Sequence, residues 1–215
     1  RSQGHMASSA LVWHIIASTS VIRFPMAKTY LPQNVFATAD GKTPRVMIAP
    51  QRYIQGDGVL DHLGKYLSLV HTKRSGVLVS RRGLQADGAR VLQSMKSAAI
   101  EAVISTFNGE SSLEEIDMHV RSLAAESIDC LIAVGGGKCV DTGKSVAYRL
   151  GVPVVIVPTL ASNDAPCSAL SVLYRPDGVF VGAEFFPDSP AMVVVDTGVV
   201  ANAGARYLVS GMGDA

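Results

Sequence analysis

From Arg45 onward, short apolar runs alternate with stretches whose apolar positions recur every three or four residues. The run 46–49 (VMIA) predicts a first strand, and residues 58–70 carry Val59, Leu60, Leu63, Tyr66, Leu67 and Val70 at helical spacing. A second strand is predicted at 76–79, followed by helical periodicity through Leu84, Ala89, Val91, Leu92 and Met95. Residues 100–105 read as a third strand. Ser112-Leu113-Glu114-Glu115 is a capping box opening a helix with a stripe of Ile116, Val120, Leu123 and Ala124. Two β-branched runs, 128–133 and 152–157, bracket a glycine-rich turn and a helix reaching about Leu150. After Pro158 the pattern changes: 170–174 and 179–181 flank the turn signal Arg175-Pro176-Asp177-Gly178, which predicts a β-hairpin. A strand at 192–196 and a helix at 206–211 follow. The alternation predicts an α/β fold, a Rossmann-like parallel sheet with helices on both faces followed by a β-hairpin.

The glycine-rich turn is Gly135-Gly136-Gly137-Lys138, placed between a buried strand and a helix start. Such a joint offers bare backbone N–H groups to an anion, and the helix macrodipole adds its positive end. Only glycine lets a pyrophosphate come this close to the backbone. The familiar motifs do not fit. A Walker loop would need Gly where Ile132 stands and Ser or Thr where Cys139 stands, and G-x-G-x-x-G fails at Val140. A tight strand-to-helix turn is the plain alternative; Asp141 and Lys144, spaced to share a face with the loop, favour the ligand reading.

Composition narrows this further. The 215 residues are 48% hydrophobic and 17% charged with net charge +1, which is globular and carries no electrostatic footprint for nucleic acid. The three cysteines form no C-x-x-C pair, which suits a reducing, cytoplasmic setting. Residues 1–6 look like a tag remnant, and the apolar patch around residues 10–17 is too short and too interrupted for a membrane span. Met26 is an alternative start, and no function is assigned before about Thr43. His62, His71 and His119 fall on predicted helices or their ends, where solvated or capping roles are expected.

A second polar loop, TLASNDAPCS at 159–168, follows its strand as the glycine loop follows the previous one. Adjacent loops outside the carboxyl ends of parallel strands are where open α/β sheets bind ligands. The combination GGGKCVDTGK, VPTLASNDAPCSALSVLY, the PDG turn, VVVDTGVV and GMGDA resembles the glycerol dehydrogenases of the iron- or zinc-dependent alcohol dehydrogenase superfamily over about residues 45–215. That resemblance implies a dinucleotide-binding domain at 45–205, after a tag remnant and extension at 1–44. Residues 206–215 would begin an all-helical metal-binding domain absent from this chain. It places Gly136, Gly137, Lys138 and Asp141 at the pyrophosphate loop, and Thr159, Ser162, Ser168, Leu170 and Tyr174 along the cofactor. Asp164 would act beside the substrate hydroxyls, and Asp214 would bind one zinc or iron ion whose two histidine ligands lie beyond Ala215.

The implied reaction is NAD-dependent oxidation of glycerol or a similar polyol to the ketone, in a cytoplasmic homo-oligomer with no nucleic-acid or membrane partner. On that reading the chain as given binds cofactor but does not turn glycerol over by itself. The enzyme alternatives are a glycerol-1-phosphate dehydrogenase or another polyol dehydrogenase of the superfamily; a phosphorylated substrate would call for cations near the 159–168 loop. Arg149, toward the far end of its helix, is the one Lys or Arg between Lys144 and Arg175. A non-catalytic nucleotide-binding module is the alternative of a different class. NADP stays open beside NAD, because the strand at 76–79 ends in Ser80-Arg81-Arg82 where an acidic residue would hold the ribose hydroxyls.

Overall fold

The computed structural model describes Tyr30, Leu31, residues 35–42 and residues 44–215. The tag-like segment, the apolar patch, Met26, His5 and His14 lie outside the described residues. The strands are β1 (Tyr53–Gly56), β2 (Arg74–Ser80), β3 (Glu101–Phe107), β4 (Cys130–Gly135), β5 (Val154–Pro158), β6 (Leu170–Tyr174), β7 (Phe180–Phe185) and β8 (Met192–Asp196). The helices are α1 (Leu63–Leu67), α2 (Arg81–Gly83), α3 (Ala89–Ser97), α4 (Leu113–Ala124), α5 (Gly137–Leu150), α6 (Thr197–Asn202) and α7 (Ala205–Asp214). Six strands form one sheet in the order β1-β8-β5-β4-β2-β3, every pair parallel, while β6 and β7 make a separate antiparallel hairpin.

The central strand β4 shows why the predicted layers form. Side chains alternate across a strand. Cys130, Ile132 and Val134 therefore meet Leu63, Leu67, Val91 and Met95 of α1 and α3. On the other face Leu131 joins Ile116, Val120 and Leu123 of α4 together with Val146 of α5, and Ala133 packs with Val140. Helices thus cover both faces, as the continuous apolar strands require. No helix among the described residues is long and apolar enough to cross a membrane.

Several local expectations change. Residues 46–49 form no strand, and Met47 is 90% exposed. The edge strand is instead β1, held by parallel pairing to β8. In the 58–70 stripe Val59, Leu60, Leu63 and Leu67 are buried and Tyr66 and Val70 partly so, but the helix breaks into a 3-10 turn (Val59–His62), α1 and a second 3-10 turn (Ser68–Val70). Its start is set by tertiary contact: the Leu60 N–H donates to Asp196 Oδ2 at 3.3 Å. Between α2 and α3 a π turn (Leu84–Gly88) keeps the chain helical, and Ala89 and Ala124 prove exposed.

Ser112 caps α4 by accepting from the Glu115 N–H at 3.2 Å. Glu115, however, turns its carboxylate to Asn108 and to His119 Nε2. His119 is buried, not solvated, with Nδ1 2.6 Å from Ser105 Oγ. Its neighbours are two polar side chains of β3 and α4, so burial leaves no hydrogen-bonding atom of the ring unmet.

α5 lies against β4 with little room. A Cβ on Gly143 would fall 2.5 Å from the Ala133 Cβ, whereas one on Gly182 in β7 meets nothing within 4 Å. Gly143→Ala is therefore expected to cost about 1–3 kcal/mol through overpacking, and Gly182→Ala to change stability by less than about 0.5 kcal/mol. Urea denaturation of the two variants checks the contrast; equal midpoints would refute the close helix–sheet contact.

Candidate functional site

β4 ends at Gly135 and α5 begins at Gly137, with no side chain capping the helix start. The first-turn N–H groups of a helix have no intrahelical acceptor, so those of Gly137 to Cys139 are offered to the space beyond the strand ends. None of the three loop glycines has positive φ. Close approach is what requires them: a Cβ on Gly137 would lie 2.5 Å from Asn163 Nδ2, and one on Gly136 3.3 Å from Leu160. Register brings the neighbouring strand ends alongside. Val79 pairs with Val134 and Gly135 with Pro158, and the Thr159 N–H donates to Gly135 O at 3.1 Å.

The second loop is tied to α5 by one buried ammonium group. Lys144 Nζ donates to Ala165 O at 2.8 Å, to Ser168 Oγ at 3.1 Å and to Leu170 O, and lies 2.9 Å from Asp141 Oδ1. Lys144 and Asp141 are both buried. Burial pushes the Lys144 ammonium down and the Asp141 carboxyl up, each opposed by the other's charge. Asp141 Oδ1 sits beside the cation without any hydrogen-bond donor aligned on it. The Lys144 side chain thus points at the second loop, away from the phosphate face suggested by its spacing. Ser171 Oγ adds a bond to Asp141 O at 2.8 Å, fastening β6 to the same helix.

α7 closes the loop from the other side. Gly211 presses so near that a Cβ there would sit 2.5 Å from Ala161 O. Asp214 Oδ2 accepts the Asp164 N–H at 2.9 Å, which puts both aspartates in one place. Together these walls enclose a cleft of about 1290 Å³, above the roughly 300–1,000 Å³ usual for a compact small-molecule site. Gly136, Gly137, Lys138, Asp141, Thr159, Ser162, Asp164, Ser168, Leu170, Tyr174 and Asp214 all line it.

Lys138 behaves differently from expectation. Its ammonium group is paired with Glu110 and lies 4.9 Å from the Tyr174 ring centroid. What it turns toward the strand ends is its backbone N–H.

The structure adds residues that the sequence did not single out. Asp57, Arg90 and Asp196 line the cleft although they lie far apart in the chain. Asp196 Oδ1 caps α6 through the N–H groups of Gly198 and Val199 at 3.1 and 3.3 Å. Its Oδ2 meets Arg90 at 3.1 Å. Burial pushes the Asp196 carboxyl up, but the Leu60 and Val199 N–H groups, the Arg90 charge and the Gly58 N–H hold it below the usual carboxylate range. An Asp closing an apolar run before a helix is a readable cap signal; its pairing with Arg90 arises only from the fold. Arg149 pairs with Glu184, both buried, at 2.5 Å, and so stands apart from the cleft.

With this geometry in place, likeness to known proteins becomes specific. Residues 50–197 match the family described as iron-containing alcohol dehydrogenase. The chain belongs to that family. A glycerol dehydrogenase of Thermotoga maritima is 45% identical over 168 residues, covering 78% of this chain and 45% of that protein. One from Escherichia coli is 44% identical over 173 residues, covering 80% of this chain and 46% of the relative. The crystal structure of glycerol dehydrogenase from Schizosaccharomyces pombe superposes with a TM-score of 0.74 at 34% identity, over 80% of this chain and 44% of that one. The chain spans about half the length of these relatives.

Two groups implied by the family fare differently. The uncapped helix start, with its first-turn N–H groups turned to the cleft, suits the phosphates of a dinucleotide. For a metal ion the described residues do not suffice: no group of three His, Cys, Asp or Glu among them could hold one, and Asp214 supplies a single carboxylate.

Replacing Lys144 by Met leaves the Asp141 carboxylate buried without its cation. An expected cost of about 3–5 kcal/mol follows, with part recovered in the Lys144→Met/Asp141→Asn double variant; urea unfolding measures both. The Asp196 shift has a sign. Because its folded-state pKa is depressed below 3.8, its contribution is present above that value and is lost as pH falls through the folded pKa. Acid titration of Asp196→Asn should show a shallower loss of stability below about pH 4 than the parent; parallel curves would contradict the assignment.

Proposed function

We propose that this chain is the cofactor-binding half of an NAD-dependent polyol dehydrogenase acting on glycerol to give dihydroxyacetone. The observation that carries the reading is the uncapped start of α5 at Gly136–Gly137, set between β2 and β5 and facing the loop that bears Thr159, Ser162 and Asp164. Likeness to glycerol dehydrogenases at 44–45% identity supports the same substrate class. Lys144 is engaged by the loop carbonyls, and Arg149 is paired with Glu184 away from the cleft, which favours an uncharged polyol over a phosphorylated one.

In this reading a nicotinamide held here would supply the two-electron acceptor for the polyol carbinol, whose hydroxyl proton would be released to solvent. The chain's own residues bind and orient. The N–H groups of Gly137 and Lys138 hold the pyrophosphate, and the Thr159 and Ser162 hydroxyls hold the ribose or ring of the nicotinamide end. Leu170 and Tyr174 flank it from the hairpin. Asp164, fixed through its backbone N–H by Asp214, accepts a hydrogen bond from a substrate hydroxyl. Positioning of this kind is the protein's share in a cofactor reaction. No metal-assisted step is derived from Asp214 alone.

Isothermal titration of the 215-residue chain with NAD tests the proposal. Saturable binding is expected, weakened about tenfold or more by Gly137→Val, whose side chain would collide with Asn163 and distort the start of α5, and changed less than about twofold by Asp164→Ala. Absence of NAD binding by the parent chain would overturn the reading. A tenfold loss in Asp164→Ala would place that carboxylate on the cofactor and not on the polyol.

A further inference from the structure

One cation of the cleft is unengaged. Arg90 is held by Asp61 and Asp196, Lys138 by Glu110 and Lys144 by the second loop. Arg82 also lines the cleft, and among the described residues its guanidinium has no hydrogen bond or ion pair. Arg81 and Arg82 are both exposed, but Arg81 stands outside the cleft lining.

Position in the sheet says which part of a ligand Arg82 would meet. β4 lies between β5 on one side and β2 on the other. Thr159, Asp164 and Asp214 gather on the β5 side, where the reacting end belongs. The β2 side is left for the adenosine end. Ser80 stands one residue past the Val79–Val134 pair, level with Gly135, so whatever leaves the glycine loop on this side reaches Ser80 and Arg82 next.

The chemistry there suits an anion. β2 ends in Ser80, with no acidic side chain at its close. Ser80 Oγ accepts the Gly83 N–H at 3.0 Å, which leaves its hydroxyl proton free to donate. Gly83 permits that bond, since a Cβ on it would lie 3.1 Å from Ser80 Oγ. The nearest lining carboxylate along the chain, Asp87, is partly buried beside Arg90. A guanidinium and a hydroxyl side by side form charge-assisted hydrogen bonds to a phosphomonoester.

We propose that Arg82 and Ser80 form a subsite for a phosphate group on the 2′ oxygen of the adenosine ribose, so that this cleft takes NADP as well as NAD. The inference rests on the dinucleotide reading above and adds the class of cofactor to it. The same arrangement lets NAD bind, because a ribose hydroxyl can donate to Ser80 Oγ where the phosphate would otherwise sit.

The test is titration calorimetry of the 215-residue chain with NAD and NADP at one ionic strength, repeated for Arg82→Gln and Arg81→Gln. The parent should bind both dinucleotides. Arg82→Gln should weaken NADP about tenfold or more while leaving NAD within about twofold, a retained affinity that also reports an intact cleft. Arg81→Gln should leave both unchanged. Binding of NAD with rejection of NADP by more than about 1000-fold, or an Arg82→Gln variant with parental NADP affinity, would overturn the subsite while leaving the dinucleotide reading in place. Equal losses in Arg81→Gln and Arg82→Gln would show diffuse charge in place of a subsite. Failure of both dinucleotides to bind the parent would sink the reading and the subsite together.

Discussion

The arrangement of the cleft depends on the ammonium group of Lys144. It is buried, and around it stand the Asp141 carboxylate of its own helix and oxygen atoms of Ala165, Ser168 and Leu170 from the loop opposite. Every one of these is an acceptor, so the group is satisfied only as a donor of all its hydrogens. A buried ion is expensive unless its partners are fixed in good geometry. That cost is met only while the 159–168 loop stays against α5, which couples the position of Asp164 and Ser168 to that of the glycine loop. The same helix carries the uncapped N–H groups at one end and the Arg149–Glu184 pair near the other.

α5 can hold these groups because it is enclosed. Residues from Cys139 to Ala147 are buried, including Asp141, Thr142, Lys144 and Ser145, between the sheet, α4 and the hairpin. Gly143 allows the helix to lie close on β4, which keeps the loop glycines at the strand end. Parallel pairing then sets the order of the functional groups, with the β2 end on one side of the phosphate cradle and the β5 end on the other. Cofactor orientation, polyol contact and the proposed 2′-phosphate subsite all follow from that order.

Much of this was legible in the sequence where apolar pattern and burial coincide. The central strands and the hairpin come from continuous or alternating β-branched runs, and both cleft loops from polar residues directly after them. The reading failed where tertiary contact decides. Residues 46–49 are apolar enough for a strand but pair with none among the described residues, while Tyr53–Gly56 becomes one because β8 offers an edge. The 58–70 helix is interrupted because the Leu60 N–H is drawn to Asp196, 136 positions away. His119 looked like a surface residue, yet Ser105 and Glu115 accommodate it in the interior. Within the cleft, the meeting of Arg90, Asp57 and Asp196 was invisible because only the crossovers of the sheet bring them together. Lys144 was noticed for the right helix, but its ammonium group serves the second loop, since spacing says which face a residue shares and not which loop covers it.

The central claim is that an anion sits on the backbone at the start of α5. Backbone amide NMR of the isotopically labelled chain addresses it at single residues. Addition of NAD, and separately of ADP, should shift the Gly137, Lys138 and Cys139 amide resonances in a saturable way, while nicotinamide riboside, which lacks a phosphate, should leave them in place. Saturable binding of NAD with these three amides unmoved would contradict the account.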